Sequence, residues 1–288
     1  MRTIIVITYD ISPYRGSEAS VSWNYVSNMG GHDHLIVLYG RGKDEIEKYL
    51  DSHQMPNVKF INIPYVQTTG RGLMMDIKYN LNYRRWQYQT YLKAKEIIEH
   101  EYVDVIHYLN PIGFKEPGFC WKIKSVPYVW GPIQGVENRP IALFPALSLK
   151  GKVNALVRRV VHNGMLWCLP RVRKALRRAD AVFAATPNTV KQLKRIHHRD
   201  AIYLPENGIL KMERTEPVTL KGTLNLIWVG SIDERKALGI LISALGKMKH
   251  DNWHLNVLGD GPLRGKCEQL AQELGIYDKI TFHGKVDR

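Results

Sequence analysis

Short apolar runs alternate with longer stretches of helical period along this chain. That alternation predicts strand and helix pairs feeding parallel sheets. Strands are predicted at Thr3–Thr8, His34–Tyr39, Val58–Ile63, Val103–Tyr108, Pro127–Trp130, Ala181–Ala185 and Ala201–Leu204. Helical periodicity fills the gaps at Glu18–Met29, Lys43–His53, Asp76–Glu101, parts of Lys150–Arg178, and Asn188–Ile196, where Pro187 suits a first helical position. Residues 206–222 mix proline, glycine and charge without a period and read as a linker. A second series follows, with strands at Leu224–Val229, His254–Leu258 and Ile280–His283 and helices at Ala237–Met248 and Pro262–Leu274. The expected organisation is an α/β domain over 1–205, the linker, and a partial second domain over 223–288. Three parallel strands bury two faces poorly, so the second sheet is expected to be incomplete.

Composition narrows the class. With 44% hydrophobic and 24% charged residues, the chain has enough apolar material for a packed core. Its three cysteines, Cys120, Cys168 and Cys267, lie far apart without CxxC spacing, which argues against a disulfide framework or a structural zinc site and fits a reducing, cytoplasmic setting. The first residues lack both a basic leader and a small-residue cleavage site, and read as a strand. The sequence contains no apolar run of about 18 residues, so any membrane contact is expected to be peripheral, on the inner face.

Charge is placed unevenly. The formal net charge is +14, yet Leu224 to Arg288 carries nine basic and eight acidic residues, which leaves +13 on the part before it. From Asn138 to Ala179 there is no acidic residue, while Arg158, Arg159, Arg173, Lys174, Arg177 and Arg178 are among the ten cations. Val153, Leu156, Val157, Val160 and Val161 recur at helical spacing beside them. The pattern suits either a helix on an anionic membrane or an ordinary core helix with a basic solvent face. Lipid head groups, a phosphorylated acceptor and nucleic acid are the anionic partners that such a charge admits.

Three βα turns carry candidate chemistry. In Val229–Leu245, Gly230 ends a strand, Ser231 follows, and Arg235 and Lys236 stand just before a helix. Unpaired amides at a helix start, joined by two cations, make a diphosphate clamp; the plainer reading is a basic helix start with solvated side chains. Gly259 and Gly261 follow the next strand, where small residues let a ligand approach backbone amides or simply form a turn. After the first strand, Gly16 and Ser17 open the helix at Glu18. That turn is not GxGxxG, and the second strand ends in Tyr39-Gly40-Arg41 with no carboxylate for a ribose, which disfavours a nicotinamide or flavin site. His107 lies near the carboxyl end of a predicted strand, placed either to orient a hydroxyl or to serve as a satisfied structural histidine. Trp130 to Gly135 is a similar glycine-bearing strand end that leaves room for a ligand or for a tight turn. No metal site is evident.

On these residues the chain resembles the family 4 retaining glycosyltransferases of the GT-B fold, nearly end to end. Arg15-Gly16-Ser17-Glu18 matches the family's glycine-bearing first loop, Glu206-Asn207-Gly208 its linker pair, and VGSIDERKA its VGR-x-x-x-x-KG motif. Lys236 falls on the diphosphate-binding lysine, with Ser231 where arginine is usual and Ala237 where glycine is usual. Leu258 to Pro262 and Ile280 to Val286 are also family-like. The resemblance implies that the loop at Gly284 and Val286 touches the nucleotide base, and that His107 is the cleft histidine near the transferred sugar. It implies two Rossmann-like domains, an acceptor side and a donor side, and transfer of a sugar from a nucleoside diphosphate to a glycan or lipid-linked hydroxyl with retention, without a further cofactor. It also implies a Glu-x7-Glu segment that this chain stops short of, so that it would resemble a truncated enzyme that binds nucleotide weakly. A nucleotide-sugar 2-epimerase of the same fold is one alternative reading. A non-catalytic basic module for membrane or nucleic acid is another, ranked last because no nucleic-acid module is recognisable.

Overall fold

The structure, a computed structural model, describes residues 1–66, 73–138, 140–146, 149–206 and 222–286. The segment 207–221, most of the expected linker, lies outside the described residues. The chain divides into two compact units, Met1–Asn138 with Val157–Lys211 and Arg139–Leu156 with Met212–Arg288.

In chain order the first elements are β1 (Thr3–Asp10), α1 (Glu18–Met29), β2 (His34–Arg41), α2 (Lys43–Leu50), β3 (Val58–Asn62), α3 (Leu73–His100), β4 (Val105–Asn110) and β5 (Tyr128–Ile133). They are followed by α4 (Leu149–Cys168), α5 (Pro170–Arg178), β6 (Ala181–Ala184), α6 (Pro187–His197) and β7 (Ile202–Tyr203). The seven strands form one parallel sheet in the order β3-β2-β1-β4-β5-β6-β7. All seven strands expected in this part are present, shifted by a few residues at their ends.

The continuous apolar runs of β1 and β2 follow from burial on both faces. Successive side chains point to opposite sides, so Ile4 and Val6 join Trp23 and Val26 of α1 in one cluster, whereas Ile5, Ile7 and Tyr9 join Trp86 of α3 in the other. The expected helical material between Lys150 and Arg178 forms two helices, because Pro170 sits at the start of α5 and cannot continue a preceding helix. The order of strands reverses direction between β1 and β4. Their carboxyl ends therefore flank a crevice, the usual ligand position in an open parallel sheet.

The second unit contains β8 (Leu224–Val229), α7 (Leu238–Leu245), β9 (Trp253–Leu258), α8 (Arg264–Glu273) and β10 (Ile280–Gly284). Its parallel sheet has the order β10-β9-β8. Trp253, Leu255 and Val257 of β9 pack with Leu238, Ile242, Cys267 and Ala271 of the two helices. On the opposite face Ile227 and Val229 are exposed, so among the described residues the sheet is covered on one side only.

Candidate functional site

In the second unit the loops after all three strands are joined at the carboxyl edge of the sheet. Gly230 N–H donates to Leu258 O at 3.0 Å, Ile232 N–H to Asp260 O at 3.1 Å, and Gly259 N–H to Gly284 O at 2.7 Å. A Cβ on Gly259 would stand 1.9 Å from Gly230 O, and one on Gly261 would stand 2.5 Å from Ile232 O. Both glycines are thus needed for loop-on-loop contact, a packing role beside the ligand approach and the plain turn that the sequence offers. Gly284, at φ +75°, has its carbonyl engaged by Gly259, and Val286 is exposed just beyond it.

Within the first of these loops Asp233 organises the chain. Its Oδ1 accepts from the backbone N–H groups of Arg235 and Lys236, each at 2.9 Å. Those two hydrogen bonds, with the Arg235 charge beside them, hold the Asp233 carboxyl below its usual range. The sequence signal was the Asp-x-x-Lys spacing, which places a short acceptor over amides two and three residues on. Arg235 and Lys236 are exposed, and Arg235 lies 4.0 Å from Asp233. Among the described residues Lys236 Nζ has no ion-pair partner. The Lys236 stem lies over Gly230, 3.5 Å from where a Cβ would sit.

The helix begins one residue later than expected because Ala237 adopts a left-handed conformation, φ 53° and ψ 41°, immediately before α7. No side chain caps α7 at Ala237, and Ile240 N–H donates back to Ala237 O at 3.0 Å. Ser231 is exposed at the start of the same loop. Arg235, Lys236, Ser231 and an uncapped helix start are therefore gathered at one sheet edge.

In the first unit the loop after β1 is held by Arg15. Its guanidinium pairs with Asp10 at 2.7 Å and with Glu45 at 2.8 Å, while Ser12 Oγ accepts from the N–H groups of Tyr14 and Arg15. Ser17 follows the half-buried Gly16 and has φ 62° and ψ −139°, a conformation that side chains rarely adopt, just before α1. Four polar residues, none of them a site candidate from the sequence, converge on the crevice. Glu18 is raised by burial and by the nearby charges of Glu206 and Asp10. With its amide turned so that nitrogen faces the carboxylate, Gln134 donates to both oxygens of Glu206 at 3.2 Å. Asn110 at the end of β4 donates to Glu18 O at 3.3 Å, and its own buried Oδ1 has no partner among the described residues. These residues lie far apart in sequence, and only the strand order assembles them.

His107 is buried on the β4 face that α1 covers. Nδ1 lies 2.8 Å from the Tyr25 hydroxyl and Nε2 lies 2.7 Å from Gly131 O. A carbonyl only accepts, so Nε2 carries the proton and Nδ1 accepts from Tyr25. Burial pushes the imidazole down to about 4, against the raising effect of the Gly131 carbonyl. Neither nitrogen is free for a substrate hydroxyl in this arrangement, because the flanking helix and strand satisfy both. Of the basic residues singled out between Asn138 and Ala179, Arg173, Lys174 and Arg177 are exposed on α5, and Arg158 on α4. Arg159 is half-buried, and Arg178 is partly withdrawn, bonding to Asp180, Ile123 O and Val126 O.

Residues 223–288 match the family described as Glycosyl transferases group 1. The lipopolysaccharide core biosynthesis glycosyltransferase LpsD of Rhizobium meliloti (strain 1021) is 37% identical over 59 residues, which are 20% of this chain and only 17% of that relative. The fold is that of GT-B glycosyltransferases. The apo form of the lipopolysaccharide outer core galactosyltransferase WaaB superposes with a TM-score of 0.57 at 13% identity, covering 99% of this chain and 68% of its own. TarM gives 0.62 at 8% identity over 99% of this chain and 77% of its own. HepE from Anabaena, solved in complex with UDP and glucose, gives 0.53 at 14% identity over 100% of this chain and 70% of its own. Among the described residues no helix is long and apolar enough to cross a membrane.

Proposed function

We propose that this chain belongs to a retaining, nucleotide-sugar-dependent glycosyltransferase of family 4, moving a sugar from a nucleoside diphosphate to a hydroxyl of a glycan or lipid-linked acceptor. The observation that carries this reading is the exposed Arg235–Lys236 pair at the uncapped start of α7, within the segment that matches Glycosyl transferases group 1. A helix start and two cations favour the anionic diphosphate, most of all as its charge grows on leaving. HepE, with UDP and glucose bound, supports the choice of donor class. The names of WaaB and LpsD support a polysaccharide acceptor.

In the proposed reaction the bond from the sugar's anomeric carbon to the diphosphate breaks. The acceptor oxygen bonds to that carbon on the same face, and the acceptor proton passes to a phosphate oxygen. Lys236, Arg235 and the α7 amides stabilise the departing charge, with Ser231 beside them. Gly259, Gly261 and Gly284 hold the loop backbones that meet the nucleotide, and Val286 flanks its base. Gly16 and Ser17 shape the glycine-bearing loop at the carboxyl edge of the first sheet. Glu18, Asn110, Gln134 and Glu206 line the acceptor side. His107 acts as a positioning residue, fixing Tyr25 of α1 and the Gly131 carbonyl, instead of touching the sugar.

Thermal unfolding with UDP-, GDP- and ADP-sugars tests the donor. A ligand at about 100 times its Kd adds roughly 2.7 kcal/mol of apparent stability. Lys236→Ala should abolish that gain and lower any transfer rate by about 10² or more. If no nucleotide stabilises the chain, or if Lys236→Ala leaves the gain intact, the clamp is wrong.

A further inference from the structure

Helix α4 carries its apolar stripe on the side opposite to the one a core-packing helix uses. Leu149, Val153, Leu156, Val157, Val160 and Trp167 recur at three- and four-residue spacing and so share one face. That face meets solvent: Leu149 is 80%, Val160 66% and Trp167 51% exposed. The core contact is made from the other side, where Leu166 is buried and the His162 ring stands edge-on to Phe114 at 5.3 Å. Exposure therefore removes the ordinary alternative, in which valines and leucines pack inward below a basic outer face. An apolar stripe of this length left in water marks a surface that something covers.

The charge around the stripe identifies the cover. Lys152 is exposed beside it, and α5 then turns Arg173, Lys174 and Arg177 to solvent over a buried Val172, Ala175 and Leu176. From Asn138 to Ala179 the chain has ten cations and no carboxylate. A second copy docking stripe to stripe would bring two such segments together with no acid on either to offset them. A bilayer rich in anionic lipid supplies hydrocarbon for the stripe and negative charge for its flanks at once.

We propose that α4 lies flat on an anionic membrane, with the Val153–Trp167 stripe among the acyl chains, Trp167 at the head-group boundary, and the flanking cations at the level of the phosphates. This docking is independent of the donor-site reading. A chain that binds no nucleotide would still bind the membrane.

Co-sedimentation of the full chain with vesicles tests it, comparing phosphatidylcholine alone with the same lipid containing about 30% phosphatidylglycerol. The expected results are binding to the anionic vesicles only, weakened as salt rises from about 0.1 M to about 0.5 M. Val157→Asn with Val160→Asn, which leaves charge unchanged, should lower partitioning at least about ten-fold by removing inserted apolar surface. Arg173→Ser with Lys174→Ser and Arg177→Ser should weaken binding and flatten its salt dependence. Far-UV circular dichroism checks that each variant stays folded. Independently of those variants, anionic vesicles should shift the native emission to shorter wavelength, and Trp167→Phe should remove most of that shift. Absence of anionic-vesicle binding, or undiminished binding by the double asparagine variant, overturns the proposal. So does self-association of the native chain that the asparagine variant abolishes without any vesicle binding, since a second copy would then be the cover.

Discussion

At the scale of single residues, the loops leading into α1 and α7 share a feature that composition does not reveal. Ser17 and Ala237 both hold a positive φ directly before the helix that follows the first strand of their unit, and neither caps that helix with its side chain. Strain of this kind gathers at sites where a loop must approach a ligand. At Ala237, where the resembling family has glycine, the left-handed backbone costs roughly 1–2 kcal/mol. Ala237→Gly should therefore raise stability by about 0.5–1 kcal/mol after the extra chain entropy of glycine is deducted. Urea unfolding checks this, and a lower midpoint would refute the assigned backbone. His107 makes a second residue-scale prediction. Its folded value of about 4 lies below the model-peptide value of 6.5, so the unfolded chain binds the extra proton first. Its contribution is complete above about pH 6.5 and is lost as pH falls towards 4, by up to roughly 3 kcal/mol. Denaturation across that pH range should show this slope, and His107→Gln should reduce it.

At the scale of elements, the edge of the second sheet behaves as one knitted layer instead of three separate turns. Gly259, at φ +143°, sits where any Cβ would meet the Gly230 carbonyl, and backbone cannot move aside as a side chain could. Gly259→Ala should cost about 3 kcal/mol or more, from strain and overpacking together. Gly265 lies in α8 with nothing near its missing Cβ, so Gly265→Ala should gain up to about 1 kcal/mol. Equal effects of the two changes on the denaturation midpoint would show that the loops do not touch. Helix α4 makes the complementary point. Its period was legible in sequence, but period alone does not say which way the stripe faces.

At the scale of the whole molecule, charge and fold separate cleanly. The first 223 residues carry nearly all of the net positive charge, whereas the segment that matches a glycosyltransferase family is close to neutral. A field of that kind attracts anionic surfaces without determining a fold. The proposed lipid contact and the proposed donor site thus lie in different parts of the chain, and the vesicle and nucleotide experiments fail or succeed separately.

The sequence by itself determined the order and type of the elements, because strands buried on both faces must be short apolar runs and surface helices must keep a 3.6-residue period. It also exposed the Arg235–Lys236 turn, since a cation pair at a helix start is locally conspicuous. Element ends were less legible: Ala237 delays α7 and Pro170 divides the helical stretch through backbone geometry that periodicity does not record. Only the tertiary structure brought Glu18, Asn110, Gln134 and Glu206 to one crevice, occupied both nitrogens of His107, and turned the α4 stripe outward. Those outcomes depend on which strands become neighbours and which helix face meets the core, and contacts between residues distant in sequence decide both.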